Sequence, residues 1–174
     1  MSSETKVAFV NGHNQLRAAL VDGPVNDQPR ATSMQQMVWD EGLAATAQKK
    51  ADTCDFAHDN SADRIPVGGA GKPIYEWIGQ NLELLGSSDS NFNISKAMDD
   101  WWAENLDYNF QTSSCTNGKM CGHYTQMAWA STTNLGCAHK ICPETSDMPM
   151  PWALVVCNYA PGGNIVGVKP YQIP

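Results

Sequence analysis

Six cysteines, at Cys54, Cys115, Cys121, Cys137, Cys142 and Cys157, constrain this chain more than any other feature. An even number suits a disulfide framework, although six cysteines allow 15 pairings and spacing alone does not choose among them. The competing reading is metal. Cys115-x5-Cys121 and Cys137-x4-Cys142 distantly resemble paired zinc ligands. Structural zinc sites usually separate such ligands by two to four residues, and the other two cysteines here are isolated. Disulfides are therefore the preferred reading, and they persist only outside the reducing cytosol.

A length of 174 residues is enough for one domain with a substantial core, and no Pro/Ser linker, charge block, repeat or low-complexity tract divides it. The expectation is a single domain over 1–174. Net charge is −7 with 11 thinly scattered basic residues, which argues against nucleic acid as a partner. No apolar stretch approaches the roughly 18 residues that span a bilayer, so no transmembrane segment is expected. Met1-Ser2-Ser3-Glu4 lacks the apolar core of a signal peptide. Together with the cysteines this reads as a mature secreted, extracellular chain carrying an added start Met.

Two runs near the C-terminal end are neither low-complexity nor generic. In Cys121-Gly122-His123-Tyr124-Thr125-Gln126-Met127-Ala128-Trp129, Tyr124, Met127 and Ala128 share a helical face behind His123. In the second, Leu154-Val155-Val156-Cys157-Asn158-Tyr159 is strand-like and Pro161-Gly162-Gly163-Asn164 then forces a turn. Earlier come His13-Asn14-Gln15-Leu16-Arg17 and Gly79-Gln80-Asn81-Leu82.

These four segments, in this order, resemble the signature motifs of the CAP superfamily, which takes in cysteine-rich secretory proteins, antigen-5-type venom allergens and pathogenesis-related class 1 proteins. The resemblance implies a disulfide-stabilised α+β fold, a three-layer α-β-α sandwich. It also implies the pairing Cys54–Cys142, Cys115–Cys121 and Cys137–Cys157.

Periodicity alone gives mixed α and β. A first helix is predicted from Lys6 to Leu20, with Val10, His13, Asn14 and Arg17 on one face, and a second behind Asp40 as N-cap, with Cys54 near its end. Asp59 to Pro73 reads as an ordered, irregular loop, followed by an apolar run from Ile74 to Leu85 punctuated by Gly79. A third helix begins at Ser95 and carries Met98, Trp101, Trp102 and Asn105 inward. His123 to Ala130 is a fourth helix, and Leu135 to Lys140 and Trp152 to Tyr159 are strands.

The family's central cleft is lined by two histidines and two acidic residues, and the resemblance assigns those cavity positions to His58, Gln80, Glu104 and His123. Two neutral imidazoles, His58 and His123, suit Zn²⁺ or another divalent cation, with Glu104 a third ligand or the holder of a bound water. Gln80 stands where many members have Glu. It is a poor zinc ligand and cannot act as a base, so the carboxylate pair of a glycosidase is missing. The Ser that often follows the first family histidine is Asp59 here, which counts against a serine-protease reading. His13 and Asn14 read as core braces and His139 as part of a disulfide-rich turn. Asn93-Ile94-Ser95 fits an N-glycosylation sequon, and Ser95 equally suits an N-cap.

For some relatives the resemblance implies lipid binding. Tyr75, Trp77 and Leu82 approximate a spaced-aromatic pattern connected with sterols. A second route is a tunnel between helices one and three, lined by Val7, Val10, Met98 and Trp101, that would accept a fatty acid. The expected function is a secreted, non-enzymatic binder of sterol or fatty acid acting in defence or host and immune modulation, with an unknown extracellular protein partner, as a monomer or weak dimer. The alternative is a metal-assisted, protease-like hydrolase using the His/Glu cleft. No catalytic residue is assigned, because no nucleophile stands at recognisable spacing from a base.

Overall fold

The computed structural model describes residues 1–67, 75–87, 89 and 91–174. Its centre is β6 (Trp152–Ala160), whose nine residues are all buried. A strand buried on both faces reads as a continuous apolar run, which is why Leu154 to Val156 shows no alternation. On one side β6 pairs antiparallel with β5 (Asn134–Cys142) and on the other with β2 (Gly79–Gly86). The short β1 (Val38–Trp39) runs parallel to β5, giving the order β1-β5-β6-β2 with β2 at an edge. A separate small hairpin joins β3 (Tyr108–Asn109) to β4 (Ser114–Cys115), and no sequence pattern pointed to it.

Helix α2 (Glu41–Ala51) covers one face of the sheet. Ala47 and Ala51 meet Leu82, Ala138, Leu154 and Val156 there. Its N-cap is Asp40 as predicted, with Oδ1 accepting from the Leu43 N–H at 2.9 Å. The helix comes down hard on β5, because a Cβ at Gly136 would lie 2.2 Å from the Ala44 nitrogen. Helices α1 (Ser3–Asp22), α3 (Lys96–Ala103) and α4 (Gly122–Met127) cover the other face. Phe9, Leu20, Met98, Trp101, Tyr124 and Met127 pack there against Leu135, Val155, Cys157 and Tyr159. The result is the α-β-α sandwich that the motifs implied.

The three disulfides are Cys54–Cys142, Cys115–Cys121 and Cys137–Cys157. The first ties the turn after α2 to the end of β5 across 88 residues. In the chain-entropy picture a loop that long is worth roughly 4–5 kcal/mol, against about 2 kcal/mol for the shortest loop.

Several expectations shift. Helix α4 stops at Met127 rather than Ala130 because the next carbonyls serve a different partner. The buried Arg17 guanidinium donates to the carbonyls of Met127, Trp129, Ala130, Thr132 and Gln35, replacing the helical continuation with a side-chain cap. His139 lies within β5, not in a turn. Ser95 makes no side-chain cap to α3. The inward stripe of α1 is Phe9, His13, Arg17 and Leu20, with Val10 and Asn14 at its margin. The loop expected over Asp59 to Pro73 is described as far as Val67, with a 3₁₀ turn at Ser61–Arg64. Its remainder and Ile74 lie outside the described residues.

Candidate functional site

The edge strand β2 organises the polar site through three consecutive residues. Gly79 is there for space, since a Cβ would sit 1.8 Å from Gln126 Oε1. That oxygen accepts the Gly163 N–H at 2.9 Å and so ties α4 to the turn after β6. Gln80 and Asn81 then point to opposite faces by the pleat.

On the α2 face, the antiparallel register sets Gln80 across from Asn158. Thr46 donates its hydroxyl to the Leu43 carbonyl, so its oxygen accepts from Asn158 Nδ2 at 3.0 Å. With Nδ2 assigned as donor, Asn158 Oδ1 must be the acceptor that Gln80 Nε2 reaches at 3.1 Å. Gln80 Oε1 is thereby turned toward His58 Nδ1, 2.9 Å away. A carbonyl oxygen only accepts, so His58 carries its proton on Nδ1, and in the neutral ring Nε2 holds the lone pair. A chain of amides running back to α2 sets this tautomer.

On the opposite face, Asn81 Nδ2 donates to the His123 carbonyl at 3.1 Å and to the Tyr159 hydroxyl at 3.3 Å. The Tyr159 hydroxyl lies 2.9 Å from His13 Nε2, while His13 Nδ1 donates to the Phe9 carbonyl at 2.8 Å. Burial without a countercharge pushes the His13 pKa down to about 4, so His13 is a neutral brace. Glu104, at the end of α3, takes the N–H groups of His123 and Tyr124 on Oε2 at 2.9 and 3.2 Å, and His123 Nδ1 on Oε1 at 2.6 Å. It caps α4 and holds the imidazole, which is also stacked on Trp101 with ring centres 6.0 Å apart.

The cavity positions therefore form two pairs, His58 with Gln80 and Glu104 with His123, fastened to adjacent residues of one strand. Glu104 acts here as an orienting partner of His123 and a cap to α4. Each histidine has its Nδ1 engaged, which leaves Nε2 as the nitrogen able to meet a divalent cation. Two protein ligands fall short of the three usual in catalytic zinc. Among the described residues no group of three or more His, Cys, Asp or Glu side chains is arranged to hold a metal. Asn158, Thr46 and Asn81 were not singled out from sequence. Their signal lies in strand register, which a single sequence does not display.

The lipid candidates separate. Leu82 packs in the core under α2 with Ala47 and Leu154, whereas Tyr75 joins a separate cluster with Leu43, Ile78 and Ala160. Trp101 is buried, and Met98 lies directly over Gly12 of α1, with a Cβ at that glycine falling 2.8 Å from Met98 Cε. Val10 packs at the margin of the same core cluster as Met98 and Trp101. Tyr75 and Trp77 do come together, lining an open cleft of about 640 Å³ with Glu76, Pro161, Gly162, Asn164 and Ile165. Both rings are pinned by their polar ends, Tyr75 Oη donating to Asp40 Oδ2 at 2.6 Å and Trp77 Nε1 to the Gly163 carbonyl at 3.1 Å. Burial and that carboxylate raise the Tyr75 pKa to about 12.

A disulfide-tied α-β-α sandwich whose edge strand holds a His–amide pair through Gln80 and a His–carboxylate pair through Asn81 defines a CAP domain of the venom-allergen-like type. The chain belongs to the CAP family, described as the cysteine-rich secretory protein family, whose model matches residues 10–159. It is similar to peptidase inhibitor 16 of Bos taurus, 35% identical over 99% of this chain and 32% of that protein. Among solved structures it is similar to Schistosoma mansoni venom allergen-like protein 4, with a TM-score of 0.79 and 30% identity over 99% of this chain and 97% of that one. It is also similar to the crystal structure of NaASP2 with Zn²⁺, with a TM-score of 0.76 and 29% identity over 100% and 88%. The chain spans between 30 and 64% of the length of the curated relatives it matches. No helix among the described residues is long and apolar enough to cross a membrane.

Proposed function

We propose that residues 1–174 act as one CAP domain, a secreted and non-enzymatic module that binds a sterol or fatty acid and works outside the cell in defence or host modulation. The observation that carries this reading is the Tyr75/Trp77 cleft. Two aromatic rings are held by their polar ends with apolar surface turned to an open groove, and Trp77 is 45% exposed in a chain otherwise tightly cross-linked. Rigid aromatic walls with few polar groups are what an apolar ligand needs. Against hydrolysis, Gln80 offers no base, both Glu104 oxygens hold backbone and imidazole N–H groups, and Asp59 is paired with Arg64 at 2.6 Å. Zn²⁺ binding belongs to the same proposal, with Nε2 of His58 and His123 as protein ligands. NaASP2, solved with Zn²⁺, supports it. When bound, the ion would supply a Lewis-acidic centre, and this chain's part is to hold both rings by Nδ1.

The test is extraction of natively folded protein and mass spectrometry of copurifying lipid, followed by titration with a fluorescent sterol and a fluorescent fatty acid. Trp77→Ala should weaken the binding roughly tenfold, equivalent to about 1.4 kcal/mol of lost contact. His58→Ala should leave lipid binding unchanged while abolishing zinc uptake by calorimetry. Absence of any copurifying lipid, with equal affinities for the wild type and Trp77→Ala, would sink the lipid reading.

A further inference from the structure

The segment between β2 and α3 carries chemistry that neither the histidine pairs nor the aromatic cleft uses. Asn93-Ile94-Ser95 is the only Asn-x-Ser/Thr triplet in the chain. Phe92 and Ile94 both pack onto the core cluster that contains Met98 and Trp101. Asn93, between two anchored apolar residues, is exposed. The backbone then turns tightly into the helix, with the Lys96 N–H donating to the Asn93 carbonyl at 3.0 Å.

Sequence left two uses open for Ser95, and the geometry separates them. Its backbone is already helical, with φ −68° and ψ −17°, and its hydroxyl caps nothing in α3. Instead the hydroxyl donates to Asn93 Oδ1 at 2.7 Å. The hydroxyl of the triplet therefore acts on its own asparagine. It engages the amide oxygen, while Asn93 Nδ2 makes no hydrogen bond among the described residues.

We propose that Asn93 is the acceptor of an N-linked glycan, an inference that rests on the extracellular reading above. The donor class is a lipid-linked oligosaccharyl diphosphate. Asn93 Nδ2 forms the bond to the anomeric carbon, the carbon–oxygen bond to diphosphate breaks, the lipid diphosphate departs with the bonding pair, and one amide proton passes to a base on the transferase. No oxidant or reductant is involved. The sugar would stand beside the groove lined by Leu84, Leu85, Gly86, Phe92 and Lys96 at the end of β2. A bulky polar group there shields an edge strand from pairing with a second chain.

The experiment is to express the full chain behind an appended secretion signal in eukaryotic cells, as wild type, Asn93→Gln, Ser95→Ala and Ser95→Thr. Medium and cell extract are both analysed by peptide mapping with and without peptide N-glycosidase. Wild type and Ser95→Thr should carry glycan on the Asn93 peptide, with enzymatic release converting that residue to Asp. Asn93→Gln and Ser95→Ala should run at the unmodified mass with all three disulfides intact, since neither side chain caps α3. An unmodified Asn93 peptide in the wild type would overturn the proposal. Found in secreted protein, it would do so without touching the extracellular reading. Glycosylated chain retained in the cells would support the site and count against secretion.

Discussion

At the scale of single residues, Gln80 shows how a side chain's neighbours decide what a substitution means. By motif alone, Gln80→Glu reads as the restoration of a missing charge. In the structure the Gln80 amide nitrogen faces Asn158 Oδ1 at 3.1 Å, and Asn158 cannot turn over without setting its oxygen against the Leu43 carbonyl. Gln80→Glu therefore brings two acceptors together in a buried place, at a cost of about 1–3 kcal/mol. We expect a lower urea midpoint at neutral pH. On an Asn158→Ala background, where the opposing oxygen is gone, the same change should cost less. Equal penalties in the two backgrounds would show that this contact is not the cause. His58 was legible as a site residue because it falls on a motif position, but its tautomer was not, since that follows from the side chains of Thr46, Asn158, Gln80 and His58 meeting in the fold.

At the scale of elements, α4 is a six-residue helix too short to stand on its own propensity, and it is held from both ends by other elements. Glu104, at the end of α3, serves its N-terminus, and Arg17 from α1 serves the carbonyl of its last residue, Met127. Glu104→Gln removes the negative charge from the helix start and, with its oxygen kept on the N–H groups of His123 and Tyr124, sets an amide N–H against His123 Nδ1. The expected loss is about 1–2 kcal/mol in unfolding free energy, read from the urea midpoint. Hydrogen exchange should speed up locally at the amides of His123 and Tyr124, and unchanged protection there would refute the capping role. The sequence placed α1 to α4 correctly because each carries a 3.6-residue apolar pattern, and β5 and β6 because each is a β-prone run. It did not display where α4 ends or that Gly79 opens a strand. An arginine 110 residues away decides the first and the approach of Gln126 the second.

At the scale of the whole molecule, the buried bridge from His13 through Tyr159 and Asn81 to the His123 carbonyl joins α1, β6, β2 and α4. The His13 pKa is lowered from 6.5 to about 4. Below 6.5 the unfolded chain therefore takes up a proton that the folded one refuses. The contribution is fully present above the unfolded value and is lost as pH falls toward about 4, after which both states are protonated and the loss stops. The loss is on the order of 3 kcal/mol, since each tenfold drop in proton affinity corresponds to about 1.4 kcal/mol. Urea midpoints followed down this window should fall steeply in the wild type. His13→Gln should start lower and fall less, and parallel slopes would show that His13 is not the titrating group.

The sequence by itself determined the family, the layered α+β architecture, the disulfide partners through the family resemblance, and the positions of the histidines and Glu104. These are properties of local pattern and of motif order, which survive in one dimension. Only the tertiary structure decided that Glu104 holds an imidazole, that Gln80 is fixed by Asn158, that Met98 packs on Gly12 of α1, and that Leu82 and Tyr75 enter separate core clusters. Each of these depends on which side of a pleat a residue takes and on what another element sets opposite it. Spacing along the chain does not encode either one.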